Sequence, residues 1–190
     1  EKELFKDLRY PIGKIHEDEF TTYKILYNVD NVAIVDDYLY NYRKNENSIT
    51  ERKFNLKRLD MLEAFEERIQ FFEEKKETEL YELTQRQYLY TLIENYRKIL
   101  QNIENPKNVL NMVLAKYRKE YKNAKNNKVI TKKDRLKMTI SYYCPQAFYG
   151  IQYIKSILYE KKNKRKKYKE AAHKYKDYKR TCKKNRQSEF

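Results

Sequence analysis

ERKFNLKRLDMLEAFEERIQFFEEKK, residues 51–76, places Phe54, Leu56, Leu59, Leu62, Phe65, Ile69 and Phe72 on one broad stripe, with charged residues opposite. Apolar residues recurring every three or four positions predict an amphipathic α-helix with one buried face. ETELYELTQRQYLYTLIENYRKILQNI (77–103) repeats the design with Leu80, Leu83, Tyr88, Leu92, Ile93, Tyr96 and Ile99. A third, shorter helix is predicted in NPKNVLNMVLAKYRKEY (105–121), with Pro106 at its start and Asn105 as its N-cap. Three such helices form an antiparallel bundle, and their stripes read as core rather than chemistry.

Composition agrees with a mainly α chain. Among 190 residues there are 2 Gly, 3 Pro and 20 Tyr, and no Trp, with a formal charge of +15. So little glycine argues against a loop-rich β-sandwich and leaves no phosphate-cradling glycine loop, since Gly13 and Gly150 stand alone. Cys144 and Cys182 lack any ligand pattern, and two thiols in a helical chain suit a reducing cytoplasm better than a disulfide. The longest weakly charged stretch, TISYYCPQAFYGIQY (139–153), is Tyr-rich and broken by Pro145, so it reads as a surface-seeking or core segment rather than a membrane span. The first residues carry no signal peptide and no initiating Met, and the chain is expected to be an excised piece of a longer one.

The first fifty residues differ in character. Pro11 and Gly13 mark a loop, and Glu17 to Val29 reads as a half-buried helix. NVAIVDD (31–37) and YLYNYR (38–43) predict short strands at 32–36 and 38–43, followed by a polar loop, KNENSIT (44–50). The segment GKIHEDEFTTYKILY (13–27) sets Glu17, Asp18 and Glu19 at the mouth of that helix in a basic chain. Consecutive carboxylates point in three directions and cannot all serve one site. One reading is favourable charge at a helix N-terminus. The other is a general base, which needs reach to a hydroxyl proton and a suitable pKa.

RYPIGKIHEDEFTTYKILY (9–27), VAIVDDYLYNYR (32–43) and KNENSIT together resemble the closing part of the catalytic domain of family 2 glycosyltransferases, notably bacterial enzymes that build capsule, exopolysaccharide and other cell-surface glycans. The likeness runs from about Leu4 to Thr50. It implies a small α/β remnant of a GT-A domain at 1–50, then a helical extension at 51–130, then an aromatic segment and polybasic terminal helix at 131–190. It also implies an inverting transfer from a nucleotide-sugar to a glycan or lipid-linked acceptor. Asp18 would be the catalytic base, with Glu17 and His16 in support, and Arg43, Asn47 and Ser48 would close over the donor diphosphate. Ile12, where many relatives have Glu, and the DDYLY run depart from the pattern without touching that base. A divalent metal, Mn or Mg, is implied for the full-length enzyme, but its Asp-x-Asp is absent here and no metal ligands are expected in this chain. Such a fragment alone is expected to be inactive and the enzyme to be cytoplasmic, peripheral at the inner face of the cell membrane.

After residue 50 the resemblance weakens. LKMTISYYCPQAFYGIQYIKSIL (136–158) is similar to a common ending of these enzymes, and with the basic run EKKNKRKKYKEAAHKYKDYKRTCKKNRQ (160–187) it suggests contact of 139–187 with anionic membrane. A packed helix followed by a solvated tail is the plain alternative. The competing class is a basic helical binding module for nucleic acid, anionic membrane or a protein partner. Nucleic acid is disfavoured, because the densest basic run is the tail and no nucleic-acid motif occurs.

Overall fold

The structure, a computed structural model, describes residues 2–41, 43, 53–147, 159–165 and 167. Among the described residues of its first 143 positions, a short 3-10 turn at Lys2–Phe5 is followed by five α-helices: α1 (Glu17–Tyr27), α2 (Asp60–Glu74), α3 (Thr78–Asn102), α4 (Lys107–Asn123) and α5 (Lys132–Tyr143). The chain divides into two units, Glu1–Tyr143 and Cys144–Phe190. In the second unit, residues 159–165 and 167 are helical and exposed. Among the described residues no helix is long and apolar enough to cross a membrane.

The three helices expected from periodicity are present, and α3 is the middle one, packed against both α2 and α4. Its buried positions are Thr84 and Gln85, Tyr88 and Leu89, Leu92 and Ile93, Asn95 and Tyr96, and Ile99. Doublets three or four residues apart cover about half of a helix's circumference, which is the width needed to serve two neighbours. Leu62, Phe65 and Phe72 of α2 and Val113 and Tyr117 of α4 complete this core. Three expected core residues fall outside it: Leu56, in the 3-10 turn before α2, and Leu80 and Leu83 at the start of α3 are exposed. At that end α3 is seated by polar bonds, with Gln85 donating to Glu120 at 2.7 Å and Asn127 donating to the Glu82 carbonyl at 2.8 Å. Those contacts turn Thr84 and Gln85 inward and Leu80 and Leu83 out.

Local signals account for most of the helix ends. The Asn55 side chain accepts from Lys57 N–H at 3.1 Å and opens the 3-10 turn Leu56–Leu59 that leads into α2. The α2–α3 connection is a Schellman closure, with Glu77 N–H on the Phe72 carbonyl and Lys76 N–H on that of Glu73. The left-handed residue there is Lys76, at φ 60°, a conformation that costs a residue with a Cβ more than it costs glycine. Before α4 the expectation needs correcting. Asn105 is not the N-cap; it takes the left-handed conformation, and Pro106 occupies the cap with no side-chain bond. Asn tolerates that conformation well, so the turn uses Asn105 for its backbone rather than its amide.

α1 and α5, which the sequence reading assigns to the 1–50 and 131–190 segments, pack onto these three helices. α1 runs alongside α2 in the same direction, with Tyr23 and Tyr27 edge-on to Phe71. α5 is anchored by Asp134, which is buried and accepts from Tyr90 Oη at 2.5 Å and from Arg86 through Nε at 3.0 Å and a terminal nitrogen at 2.9 Å. Tyr117 adds a bond from its hydroxyl to the Met138 carbonyl at 2.8 Å.

The strands expected at 32–36 and 38–43 are not formed among the described residues. Residues 31–36 and 38–41 have neither helix nor strand, and residues 31–41 are all exposed. The physical reason is the lack of a pairing partner: one extended segment cannot satisfy its backbone N–H and C=O groups in a ladder. Tyr42 lies outside the described residues.

Two outcomes follow for stability. Lys76→Gly relieves the left-handed backbone and should raise unfolding stability by about 1 kcal/mol in urea titration. The Tyr90 hydroxyl, assisted by Arg86 and Thr131 and opposed by burial, holds the Asp134 carboxyl down to about 2. The unfolded chain therefore binds the extra proton between about pH 4 and pH 2, and this carboxylate's contribution is complete above that window and lost as pH falls through it. Asp134→Asn should lower the melting temperature at pH 7 and flatten its dependence on pH between 4 and 2.

Candidate functional site at the entrance to α1

The acidic entrance is held onto α2 by several contacts. Lys14 pairs with Glu63 at 2.5 Å and approaches Asp60 at 3.7 Å. Ile15 N–H donates to the Asp60 carboxylate at 3.0 Å, and Arg68 reaches both the Glu19 carboxylate, at 2.5 Å, and the Glu19 carbonyl, at 2.7 Å. Further along, Lys24 pairs with Glu67, and the Tyr27 hydroxyl donates to Glu77 at 3.0 Å. Arg68 also lies over the rings of Tyr23 at 4.8 Å and Phe65 at 5.2 Å, so one guanidinium ties the entrance to the aromatic layer beneath it.

Two left-handed residues bend the chain into this position, Gly13 at φ 78° and His16 at φ 61°. His16 is the N-cap of α1 and makes no side-chain cap; its carbonyl accepts from Glu19 N–H at 3.0 Å. The first turn therefore lacks a neutral cap, and Glu17, Asp18 and Glu19 supply negative charge at the positive end of the helix dipole.

The three carboxylates separate by environment. Glu19 is half-buried and committed to Arg68, which makes it a structural anchor. Glu17 and Asp18 are exposed, and neither makes a side-chain hydrogen bond or ion pair among the described residues. Below them Phe20, Thr21 and Tyr23 are buried. Tyr23 is edge-on to Phe71, and burial, with the charge of Glu67, pushes its hydroxyl well above the ordinary tyrosine value despite Arg68. The arrangement presents a carboxylate to solvent from a backbone fixed at both flanks, with an aromatic floor behind it.

Of the other expected site residues, Arg43 is exposed and forms no hydrogen bond or ion pair among the described residues, while Asn47 and Ser48 lie outside them. The structure therefore brings His16, Glu17 and Asp18 together by chain continuity and does not join Arg43 to them. Among the described residues no group of three His, Cys, Asp or Glu side chains could hold a metal ion.

Periodicity read as core did not reveal a polar groove of about 1020 Å3 over α3, lined by Glu66, Glu73, Tyr81, Tyr88, Lys116 and Glu120 among others. Its signal was the row Glu66, Gln70 and Glu73 on one side of α2, four and three residues apart. Much of its lining is mutually paired: Tyr88 Oη donates to Glu66 at 2.6 Å, Lys116 also reaches Glu66, and Glu120 accepts from Gln85. It joins α2 to α4 across α3.

No family model, no curated protein and no solved structure matches the chain.

The split between anchor and display can be tested by stability alone. Arg68→Ala should cost about 1–3 kcal/mol, because it leaves Glu19 unpaired and uncovers Tyr23 and Phe65. Asp18→Asn, at an exposed position, should stay within about 0.5 kcal/mol of wild type in the same denaturant titration.

Proposed function

We propose that this chain is the C-terminal part of an inverting glycosyltransferase that moves a sugar from a nucleotide-sugar to a glycan or lipid-linked acceptor in cell-surface polysaccharide synthesis. The observation that carries the reading is Asp18. Like Glu17 beside it, Asp18 is an exposed and unpaired carboxylate on a backbone clamped by Lys14, Ile15 and Glu19, and the resemblance to family 2 glycosyltransferases favours Asp18 of the two. A general base needs that combination of fixed position and free lone pairs.

In this reading Asp18 removes the proton from the attacking acceptor hydroxyl as the oxygen bonds to the anomeric carbon and the nucleoside diphosphate leaves from the opposite face. Glu17, one residue back, would orient or support Asp18. His16 sets the left-handed bend that aims the first turn. Arg43 would meet the leaving diphosphate through its planar fork, in company with Asn47 and Ser48. Those groups would come together only in the complete catalytic domain, which would also supply the donor pocket and the ligands for a divalent Mn or Mg ion.

The competing reading of a basic helical binding module draws on the net charge of +15 and on the exposed basic residues at 161–165. The two separate cleanly in one assay. The polypeptide encoded by the complete reading frame is offered a panel of nucleotide-sugars and glycan acceptors, and release of nucleoside diphosphate is followed. Asp18→Asn should reduce kcat by about 100- to 10,000-fold while leaving donor affinity within a factor of about three. Glu19→Gln should act mainly through stability. Turnover by Asp18→Asn at the wild-type rate overturns the assignment of the base, and absence of transfer from every donor with tight salt-sensitive binding to polyanions favours the binding module.

A further inference from the structure

The outward face of α5 has the character of an interior. The helix buries Asp134, Met138 and Ser141 and turns Leu136 and Tyr143 to solvent, 64% and 76% exposed. Lys132, Leu136, Ile140 and Tyr143 follow one another at four- and three-residue steps, so they share one side of the helix. Buried polar groups beside exposed large apolar ones are the informative deviation from ordinary globular packing. The inward Asp134 is explained by Tyr90 and Arg86, whereas no contact among the described residues covers the outward Leu136 and Tyr143.

Charge around this face is one-sided. Residues 107–143 contain eleven Lys and Arg and two acids, Glu120 and Asp134. Both acids are buried and bonded inward, to Gln85 and to Arg86 with Tyr90. Apart from Lys116, which pairs with Glu66 of α2, the surface of α4 and α5 therefore shows positive charge with no exposed carboxylate of its own. Residues 60–104 are the reverse, with eleven acids against six Lys and Arg. Arg118 of α4 lies over the Tyr142 ring at 5.8 Å and continues the basic surface beside α5.

We propose that α5 docks in the plane of an anionic lipid surface, with Leu136, Ile140 and Tyr143 entering the headgroup–acyl boundary and Lys132 and Lys133 meeting the headgroups. At 12 residues the helix is about 18 Å long, too short to cross a bilayer and suited to lying in the interface. Tyrosine, with an apolar ring and a polar tip, belongs at that depth. A nucleic acid would use the lysines and the tyrosine but would leave Leu136 and Ile140 in water, since aliphatic side chains gain nothing from a phosphate backbone. This inference deepens the membrane contact that the transferase resemblance implies for 139–187, placing it on α5, and it uses neither Asp18 nor the donor-closing residues, so its failure leaves the assignment of the base standing.

The chain contains no tryptophan, so Leu136→Trp places a single fluorescent reporter on the proposed face of the full chain. Vesicles of phosphatidylcholine alone and with about one-third phosphatidylglycerol serve as the probe. The emission should shift to the blue, and brominated acyl chains should quench it, with the anionic vesicles only. In co-sedimentation, Lys132→Ala with Lys133→Ala should weaken partitioning about 10- to 30-fold, at roughly fivefold per charge. Leu136→Ser with Tyr143→Ser should weaken it comparably, with far-UV spectra confirming unchanged helix content. Binding to anionic vesicles with an unshifted, unquenched reporter, or with both double variants at wild-type affinity, would place the contact elsewhere on the chain and overturn the proposal. So would salt-dependent RNA binding lost in the lysine variant, without any partition onto lipid.

Discussion

Everything in the first unit depends on α3 being buried along about half of its circumference. A helix with a narrower apolar stripe serves one neighbour, whereas the doublets from Thr84–Gln85 to Ile99 serve α2 on one side and α4 on the other. Each large apolar side chain removed from water contributes about 1.5–3 kcal/mol, so the row Tyr88, Leu89, Leu92, Ile93, Tyr96 and Ile99 outweighs any single polar contact in the molecule. The polar contacts act differently. The Gln85–Glu120–Asn127 group and the Asp134–Arg86–Tyr90 group pair their own buried atoms, and because an unpaired buried polar atom is costly they select one register and one seating for α4 and α5.

α2 transmits that order to the entrance of α1. Its Leu62, Phe65 and Phe72 are buried, while Asp60, Glu63, Glu67 and Arg68 reach toward the segment from Lys14 to Lys24. A rigid helix thus supports a loop that would otherwise carry two left-handed residues with little to hold them. That is the physical difference between Glu19 and its neighbours. All three carboxylates suit the helix dipole, but only Glu19 has a guanidinium within reach, which leaves Glu17 and Asp18 facing solvent. Site residues displayed by a scaffold in this way are positioned by what lies beneath them.

The distribution of charge follows from the same architecture. Acids concentrate on α2, where they pair with α1 and its entrance and line the groove, and bases concentrate on α4 and α5. The two acids that α4 and α5 do possess are drawn inward by Gln85, Arg86 and Tyr90. Folding therefore sharpens a charge separation that is milder in the linear sequence, because it hides the exceptions.

The sequence by itself determined the helical class, the extents of α3 and α4 to within a few residues, and the acidic start of α1, because each is written in short-range periodicity and composition; the stripe read from residue 51 begins as α2 only at Asp60, after the 3-10 turn Leu56–Leu59. It also marked Asp18 as a candidate base through its likeness to a family motif. Where partners distant in sequence decide the outcome, local patterns were silent. The runs at 32–36 and 38–41 have strand-like residues yet remain unpaired among the described residues, because a strand exists only with a neighbour. Leu80 and Leu83 fit a helical stripe yet face outward, because Gln85 and Glu82 meet Glu120 and Asn127 some 35 to 45 residues away. Three adjacent carboxylates look alike in the sequence, and only Arg68, 49 residues from Glu19, separates the anchor from the two that stay free.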